Sequence, residues 1–413
     1  MRVCFCTPQI PYPPVSGGRI ETYRLVEGLT DSGHEVTVVT HTTEDDEVAA
    51  FEDATGCKVV SVPDVRSWNA TQYLANVASK DPLPVERTRS PELVDAVEDA
   101  ICKESPDIVH LHTLQLSFLA RKLDVPTVVR FTNAKSKIYD QFADRTRNPL
   151  KATYARYQGW KTRRYEADIS TAADRTLAIT ESDREIFDAN GAVGVESLPA
   201  GIDTGRFDDQ GLPKSDDKSP VITFFASMDY HPNEDAAVYL GEEIFPQIQE
   251  SYPGARLDLV GKSPPESVER LGEELGIRVT GFVDDIFEYI AEATVVVVPI
   301  RVGTGVRIKI LHALAMGKPV VSTPTGMQGI PVEAGSEALV RADAGPFAEA
   351  VVSLLDDPDR RESIANRGRE FVQSEFDQAV IADRLGSVYR DVVAEHGVAA
   401  DAASKPQTGG EPS

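Results

Sequence analysis

The chain has 413 residues, a formal net charge of −24 and a pI of about 4.7. That length accommodates two domains, and 41% hydrophobic residues can fill real cores. The acidic balance argues against general nucleic-acid binding, which needs a basic footprint. The acidic residues are spread along the whole chain, as on proteins from a high-salt cytoplasm, where salt screens self-repulsion; an ordinary acidic mesophile protein is the alternative.

In chain order, short apolar strands are predicted at 3–7, 36–40, 59–62, 107–112, 126–131 and 176–180, with helical patterns between them. Such alternation predicts a doubly wound parallel sheet. Cys4 and Cys6 alternate along the first strand and face one side. No second Cys or His pair follows at zinc-ligand spacing, so they read as core filler in a reducing compartment. Gly17 and Gly18 fall in the first strand-to-helix loop, where a phosphate can approach the backbone; a structural turn is the alternative. His110 and His112 share one face at the end of the 107–112 strand and read either as satisfied polar residues or as ligand contacts. Residues 130–164 are locally basic, with Lys151, Arg156, Lys161 and the aromatic Trp160 on one predicted helix. A basic, aromatic face suits an acceptor with a phosphate-bearing lipid or peripheral contact with an anionic membrane; a solvated helix paired with acidic neighbours is the alternative.

Residues 199–220 are rich in Pro, Gly and Asp and read as a linker. Strands resume at 221–226, 256–260, 277–280, 294–298 and 320–322. The expected organisation is a domain over 1–198, the linker, a domain over 221–377, a helix at 378–396 placed to pack back on the first domain, and a disordered tail over 397–413. No apolar run approaches the ~20 residues needed to span a bilayer, and the start of the chain has no signal-peptide pattern. The expected location is the cytoplasm, with the inner face of the membrane within reach.

The most informative stretch is 295–326, which reads strand, glycine loop, helix, strand. Gly303, Thr304 and Gly305 form the loop; Ile308, Leu311 and Ala315 lie on one face of the helix. Unpaired N–H groups and the helix dipole favour an anion there, and Arg301, Arg307 and Lys309 crowd the same region. A diphosphate is the candidate ligand; a tight connection with solvent-facing basic residues is the alternative.

These segments carry a family resemblance. SMDYHPNEDA (227–236), LDLVG (257–261), VTGFVDD (279–285) and VPIRVGTGVRIKILHALAMGKPVVST (298–323) resemble the C-terminal half of retaining glycosyltransferases of family 4. PPVSGG (13–18), DIVHLH (107–112), RFTNAKSKIYDQF (130–142), RRYEADI (163–169) and LPAGIDTGRF (198–207) match the N-terminal half more loosely. The resemblance implies a GT-B fold, two Rossmann-like α/β domains facing a cleft. It implies a nucleotide-diphosphate sugar as co-substrate, held mostly by the C-terminal domain, with no other cofactor, and a lipid-linked, polysaccharide or glycoprotein-precursor acceptor held mostly by the N-terminal domain.

By the same resemblance, Gly17 and Gly18 approach the diphosphate, Arg307 and Lys309 neutralise it, and His112 reaches the donor sugar. Asn233, the 303–305 loop, and Gly281 with Phe282 along the base complete the donor site. No metal is implied, since Arg307 and Lys309 supply the charge. The chain departs from the pattern at His312, where relatives have a ribose-binding Glu, and at Thr304, where much of the wider family has a second Glu. A neutral imidazole accepts one hydrogen bond where a carboxylate accepts two. A sugar-nucleotide 2-epimerase and a degenerate, non-catalytic homologue share the architecture; the first requires a pair of acid/base carboxylates that the sequence does not identify.

Overall fold

The computed structural model describes residues 1–14, 17–42, 44–63, 70–146, 148–207, 219–303 and 305–404. It divides into two compact units, one formed by 1–201 with the C-terminal segment from Gln378, the other by Ile202–Asp377.

The first unit is built on seven strands: β1 (Arg2–Thr7), β2 (Glu35–His41), β3 (Lys58–Val62), β4 (Ile108–His112), β5 (Thr127–Phe131), β6 (Arg175–Ala178) and β7 (Val195–Ser197). All pair in parallel, in the order β3-β2-β1-β4-β5-β6-β7. Alternate side chains supply two separate cores. Val3 and Phe5 join one, with the helix Gly17–Asp31; Cys4 and Cys6 join the other, with the helix Pro91–Glu104. Burial on both faces explains why these strands read as continuous apolar runs. All four cysteines are free, and three are buried.

The second unit has β8 (Val221–Phe225), β9 (Arg256–Val260), β10 (Arg278–Val279), β11 (Val295–Val298), β12 (Val320–Ser322) and β13 (Leu339–Val340). These are again parallel, in the order β10-β9-β8-β11-β12-β13. Both sheets are therefore doubly wound, and in each the order reverses once, between β1 and β4 and between β8 and β11. Crevices at the carboxyl ends of strands flanking such a reversal are where open α/β sheets bind ligands.

Two boundaries differ from the sequence reading. Residues 202–207 pack with the second unit: Ile202 bridges to Asp377, and Phe207 is buried in that unit's core. Residues 208–218, the rest of the expected linker, lie outside the described residues. The last helix runs Gln378–Ser404 and does not stop at 396; 405–413 lie outside the described residues. This helix packs against Gly17–Asp31, where a Cβ on Gly28 would come within 3.0 Å of the Ala382 Cβ. β7 and β13, of three and two residues, are too short to show a period in the sequence.

Candidate active site

The second unit gathers its polar groups at the β8/β11 reversal. β11 ends at Val298, and the chain then passes through Gly303 and Gly305, with φ of 118° and 88°. Both angles are in the range that favours glycine. The helix Ile308–Ala315 begins three residues after Gly305, with Arg307 as its N-cap residue. The Arg307 guanidinium folds back to donate to the Gly305 carbonyl at 2.8 Å. A Cβ on Gly303 would come within 3.0 Å of that guanidinium, so glycine also makes room for Arg307. Thr304 lies outside the described residues.

Lys309, on the first turn, donates to Asn233 Oδ1 at 3.0 Å and sits 4.8 Å from the Phe224 ring centroid. Asn233 is fixed in turn by its own donation to the Ser227 carbonyl at 2.8 Å. No carboxylate lies within ion-pair distance of Lys309 among the described residues. Burial and the neighbouring Arg307 push the Lys309 ammonium down to about 7, and burial also lowers Arg307. Two cations held together in this way raise each other's electrostatic energy, and an anion would relieve it. Arg301 is not part of the cluster: it is exposed, pairs with Asp235 at 2.7 Å and lies over the Tyr239 ring at 4.0 Å.

His312, one turn beyond Lys309, meets Phe287 edge-on at 5.4 Å and Phe207 at 6.3 Å between ring centroids. Gly281, at φ 68°, and the exposed Phe282 follow the edge strand β10, away from the Arg307–Lys309 cluster in the strand order.

The first unit has a different arrangement at its own reversal. His112 closes β4 and is 1% exposed. Its Nε2 lies 3.0 Å from Glu21 Oε2 and 3.1 Å from Thr22 Oγ1. The Thr22 hydroxyl donates to the Gly18 carbonyl at 2.8 Å. It therefore accepts from His112, which places a proton on Nε2. Arg130 on β5 is fully buried, 3.0 Å from the other Glu21 oxygen, and donates to the Leu198 and Pro199 carbonyls at 3.2 and 3.0 Å. Burial pushes the Glu21 carboxyl up, but Arg130 and then His112 outweigh it and hold it at about 2. His110, stacked on Phe5 at 4.5 Å, shares a 2.8 Å hydrogen bond with Tyr389. Burial, with His112 and Arg130 nearby, holds His110 well below 6.5 and hence neutral. Gly17 and Gly18 begin the helix above this network, and a Cβ on either would meet no protein atom within 4 Å.

Family comparisons decide the assignment. Residues 16–199 match the glycosyl transferase 4-like domain, and residues 219–357 match glycosyl transferases group 1. The chain is a family 4 glycosyltransferase. A GDP-mannose-dependent monoacylated alpha-(1-6)-phosphatidylinositol monomannoside mannosyltransferase of Corynebacterium glutamicum is 26% identical over 214 residues, 47% of this chain and 55% of that protein. The match thus spans about half the length of that relative. An uncharacterised 44.6 kDa protein from the cps region of Klebsiella pneumoniae is 22% identical over 92% of this chain and 97% of its own length. Among solved structures, a sucrose-phosphate synthase from Thermosynechococcus elongatus superposes with a TM-score of 0.67 at 17% identity, covering 96% of this chain and all of that one. Anabaena HepE in complex with UDP gives 0.67 at 14% identity over 95% of this chain and all of that one. These likenesses show the GT-B fold.

In this glycosyltransferase the basic helix spans Pro149–Ser170. Lys151, Arg156 and Trp160 are exposed, and Arg164 lies over the Trp160 ring at 5.1 Å. Arg156, Trp160 and Arg164 recur every four residues and so form one stripe. Lys161 does not share it. It is 3% exposed and donates to the Asn76 carbonyl at 2.7 Å, in the last turn of the helix Ala70–Ala78, where carbonyls lack partners within their own helix. Arg130, grouped with the basic segment in the sequence, belongs to the buried network instead. Glu21, Thr22 and Tyr389 were missed in the sequence reading. The available signal was Arg130 itself, a charge in the middle of an apolar strand that demands a buried partner.

Among the described residues no helix is long and apolar enough to cross a membrane.

Proposed function

We propose that the chain transfers a sugar, with retention of configuration, from a nucleotide-diphosphate donor to a glycan or lipid-linked acceptor. It binds the donor diphosphate at the Gly303–Lys309 loop. The observation that carries this is the Arg307–Lys309 pair at the β8/β11 reversal, held by Asn233 and the Gly305 carbonyl without a carboxylate on Lys309. Breaking the glycosidic bond leaves negative charge on the departing diphosphate, and fixed cations aimed at that charge lower the barrier. In the first unit, His112 and the open side of Gly17 and Gly18 are assigned to the donor sugar and phosphates. The printed ligands and acceptors of relatives fit this reading: HepE was crystallised with UDP and with UDP-glucose, and the Corynebacterium relative is named for GDP-mannose and a phosphatidylinositol mannoside. Calorimetric titration with UDP, GDP and ADP tests it; at least one should bind far more tightly than its monophosphate. Equal affinity for diphosphate and monophosphate would count against the site.

With Arg307 and Lys309 carrying the charge, turnover is expected to persist in EDTA; loss of activity restored by magnesium or manganese contradicts that. The exposed Arg156–Trp160–Arg164 stripe is assigned to peripheral contact with anionic lipid. Co-sedimentation with phosphatidylglycerol vesicles should fall on Trp160→Ala, and unchanged co-sedimentation removes that assignment.

His312 is assigned to the ribose. His312→Glu should tighten donor binding by about 1–2 kcal/mol, several-fold to roughly 30-fold, because a carboxylate accepts from both hydroxyls. Weaker binding by the Glu variant means the nucleoside is held by other groups, with Phe287 and Phe207 the nearest aromatic neighbours of His312.

A further inference from the structure

The first unit has a cavity of about 500 Å³ at the amino edge of its sheet, the edge opposite His112, which closes β4. It lies where β1, β2 and β3 begin and where three helices end: Gly17–Asp31, Asp45–Thr55 and Pro91–Glu104. Val3, Val36 and Ala100 give it a buried apolar floor. The volume falls in the range of small-molecule sites, and none of the donor chemistry assigned above uses it.

Six basic and acidic side chains line the cavity: Arg2, His34 and Lys58, and Asp31, Glu35 and Glu104. The two permanent cations are already engaged. Lys58 Nζ donates to Glu104 Oε2 at 3.1 Å, and Arg2 donates to the Glu104 carbonyl at 2.9 Å and pairs with Asp107 at 3.8 Å. Asp31 and Glu35 are not: among the described residues no Lys, Arg or His lies within ion-pair distance of either carboxylate. The carboxyl ends of the three helices add partial negative charge at the same place.

The uncharged groups have the same preference. The Thr30 and Thr55 hydroxyls spend their protons on the Glu27 and Phe51 carbonyls, each at 2.8 Å, and so retain only acceptor capacity. Burial, then the Met1 amino group and Arg390, hold His34 below 6.5, against Asp383 of the last helix, so the imidazole is neutral near pH 7. Its Nδ1 is buried without a hydrogen-bond partner. Buried polar atoms nearly always have partners, and each exception calls for an explanation. With its proton on Nε2, this imidazole offers Nδ1 as one more acceptor. The cavity therefore selects a ligand rich in N–H donors and positive charge. Among the described residues no group of three or more His, Cys, Asp or Glu is placed to hold a metal ion, and the apolar floor suits a carbon skeleton, so the fitting cation is organic.

We infer that this cavity binds a short alkyl amine or diamine, with its ammonium groups on Asp31 and Glu35 and its methylenes over Val3, Val36 and Ala100. The site stands apart from sugar transfer and needs no nucleotide.

The test is calorimetric titration of the full chain with putrescine, with the neutral butanediol of the same length and magnesium chloride as separate arms. Ionic strength is held fixed, because a net charge of −24 gathers any cation diffusely. Putrescine is expected to bind saturably at one site per chain, and butanediol not at all. Glu35→Gln and Asp31→Asn should each weaken putrescine about two- to fivefold, and the two together about tenfold. Glu273→Gln makes the same change of charge on the helix Glu266–Leu275 of the second unit and should leave binding as it is. The His34 ring resonances should shift on saturation with putrescine, which diffuse binding elsewhere would not cause. Three results overturn the inference: putrescine shows no saturable binding, magnesium binds as tightly as putrescine, or Glu273→Gln weakens binding as much as Glu35→Gln.

Discussion

Lys309→Ala is expected to weaken nucleoside-diphosphate binding by roughly 10–100-fold, the equivalent of one charge-assisted contact of about 1.5–3 kcal/mol. The effect is on binding because Lys309 stabilises nothing else of comparable value: its partner is the neutral Asn233 amide. The wild-type protein carries a second signature. Burial and Arg307 hold the free Lys309 at about 7, and a bound diphosphate raises that value. Binding therefore takes up a proton between about pH 7 and the higher value of the complex. Affinity is greatest below pH 7 and declines as pH rises through that window. Titrations in buffers of different ionisation enthalpy read the uptake directly, and Lys309→Ala should abolish it. Unchanged affinity in a folded variant, or no proton uptake in wild type, removes Lys309 from the site.

The second large effect is on stability. Arg130 is fully buried, and Glu21 is its carboxylate. Removing one member of a buried pair strands the other, at a cost of about 3–5 kcal/mol. Glu21→Ala should therefore destabilise the sheet around β4 and β5 by that amount near pH 7. Glu21→Gln with Arg130→Met should lose less than the sum of the two single changes, because neither charge is then stranded. Amide exchange of β4 and β5 measures this without assuming that both units unfold in one step. The pH dependence has a fixed sign. The Glu21 carboxyl lies at about 2 in the fold against an ordinary 4.5. Its contribution is complete above about pH 4.5 and is lost as pH falls towards 2. A cost below about 1 kcal/mol for Glu21→Ala contradicts the network.

The second unit was the more legible half. Four consecutive β-branched valines closed by Pro299 suit a strand buried on both faces, which the structure has at Val295–Val298, and two glycines before an amphipathic helix mark where the loop turns. The placement of Arg307 and Lys309 followed from that. What the sequence did not show was how each cation is spent. Arg301 has the same local context as Arg307, yet it finds Asp235 and Tyr239 on another helix. Lys161 has the spacing of an exposed basic face, but a carbonyl at the end of the helix Ala70–Ala78 draws it inward. Partner choice of this kind is set by packing between elements far apart in the chain, which helical or strand periodicity does not encode. The same holds for Glu21, whose partners His112 and Arg130 come from β4 and β5.

This family 4 glycosyltransferase is proposed to move a sugar from a nucleotide diphosphate onto a glycan or lipid-linked acceptor. The measurement that tests it most directly follows UDP-, GDP- and ADP-sugars by NMR with and without disaccharide or lipid-phosphate acceptors, reading nucleotide release and the anomeric configuration of the product together. One donor is expected to release its nucleoside diphosphate faster when an acceptor is present, with a product that keeps the donor's anomeric configuration. Inversion at sugar C2, or nucleotide-sugar binding with no release under any acceptor, would contradict it.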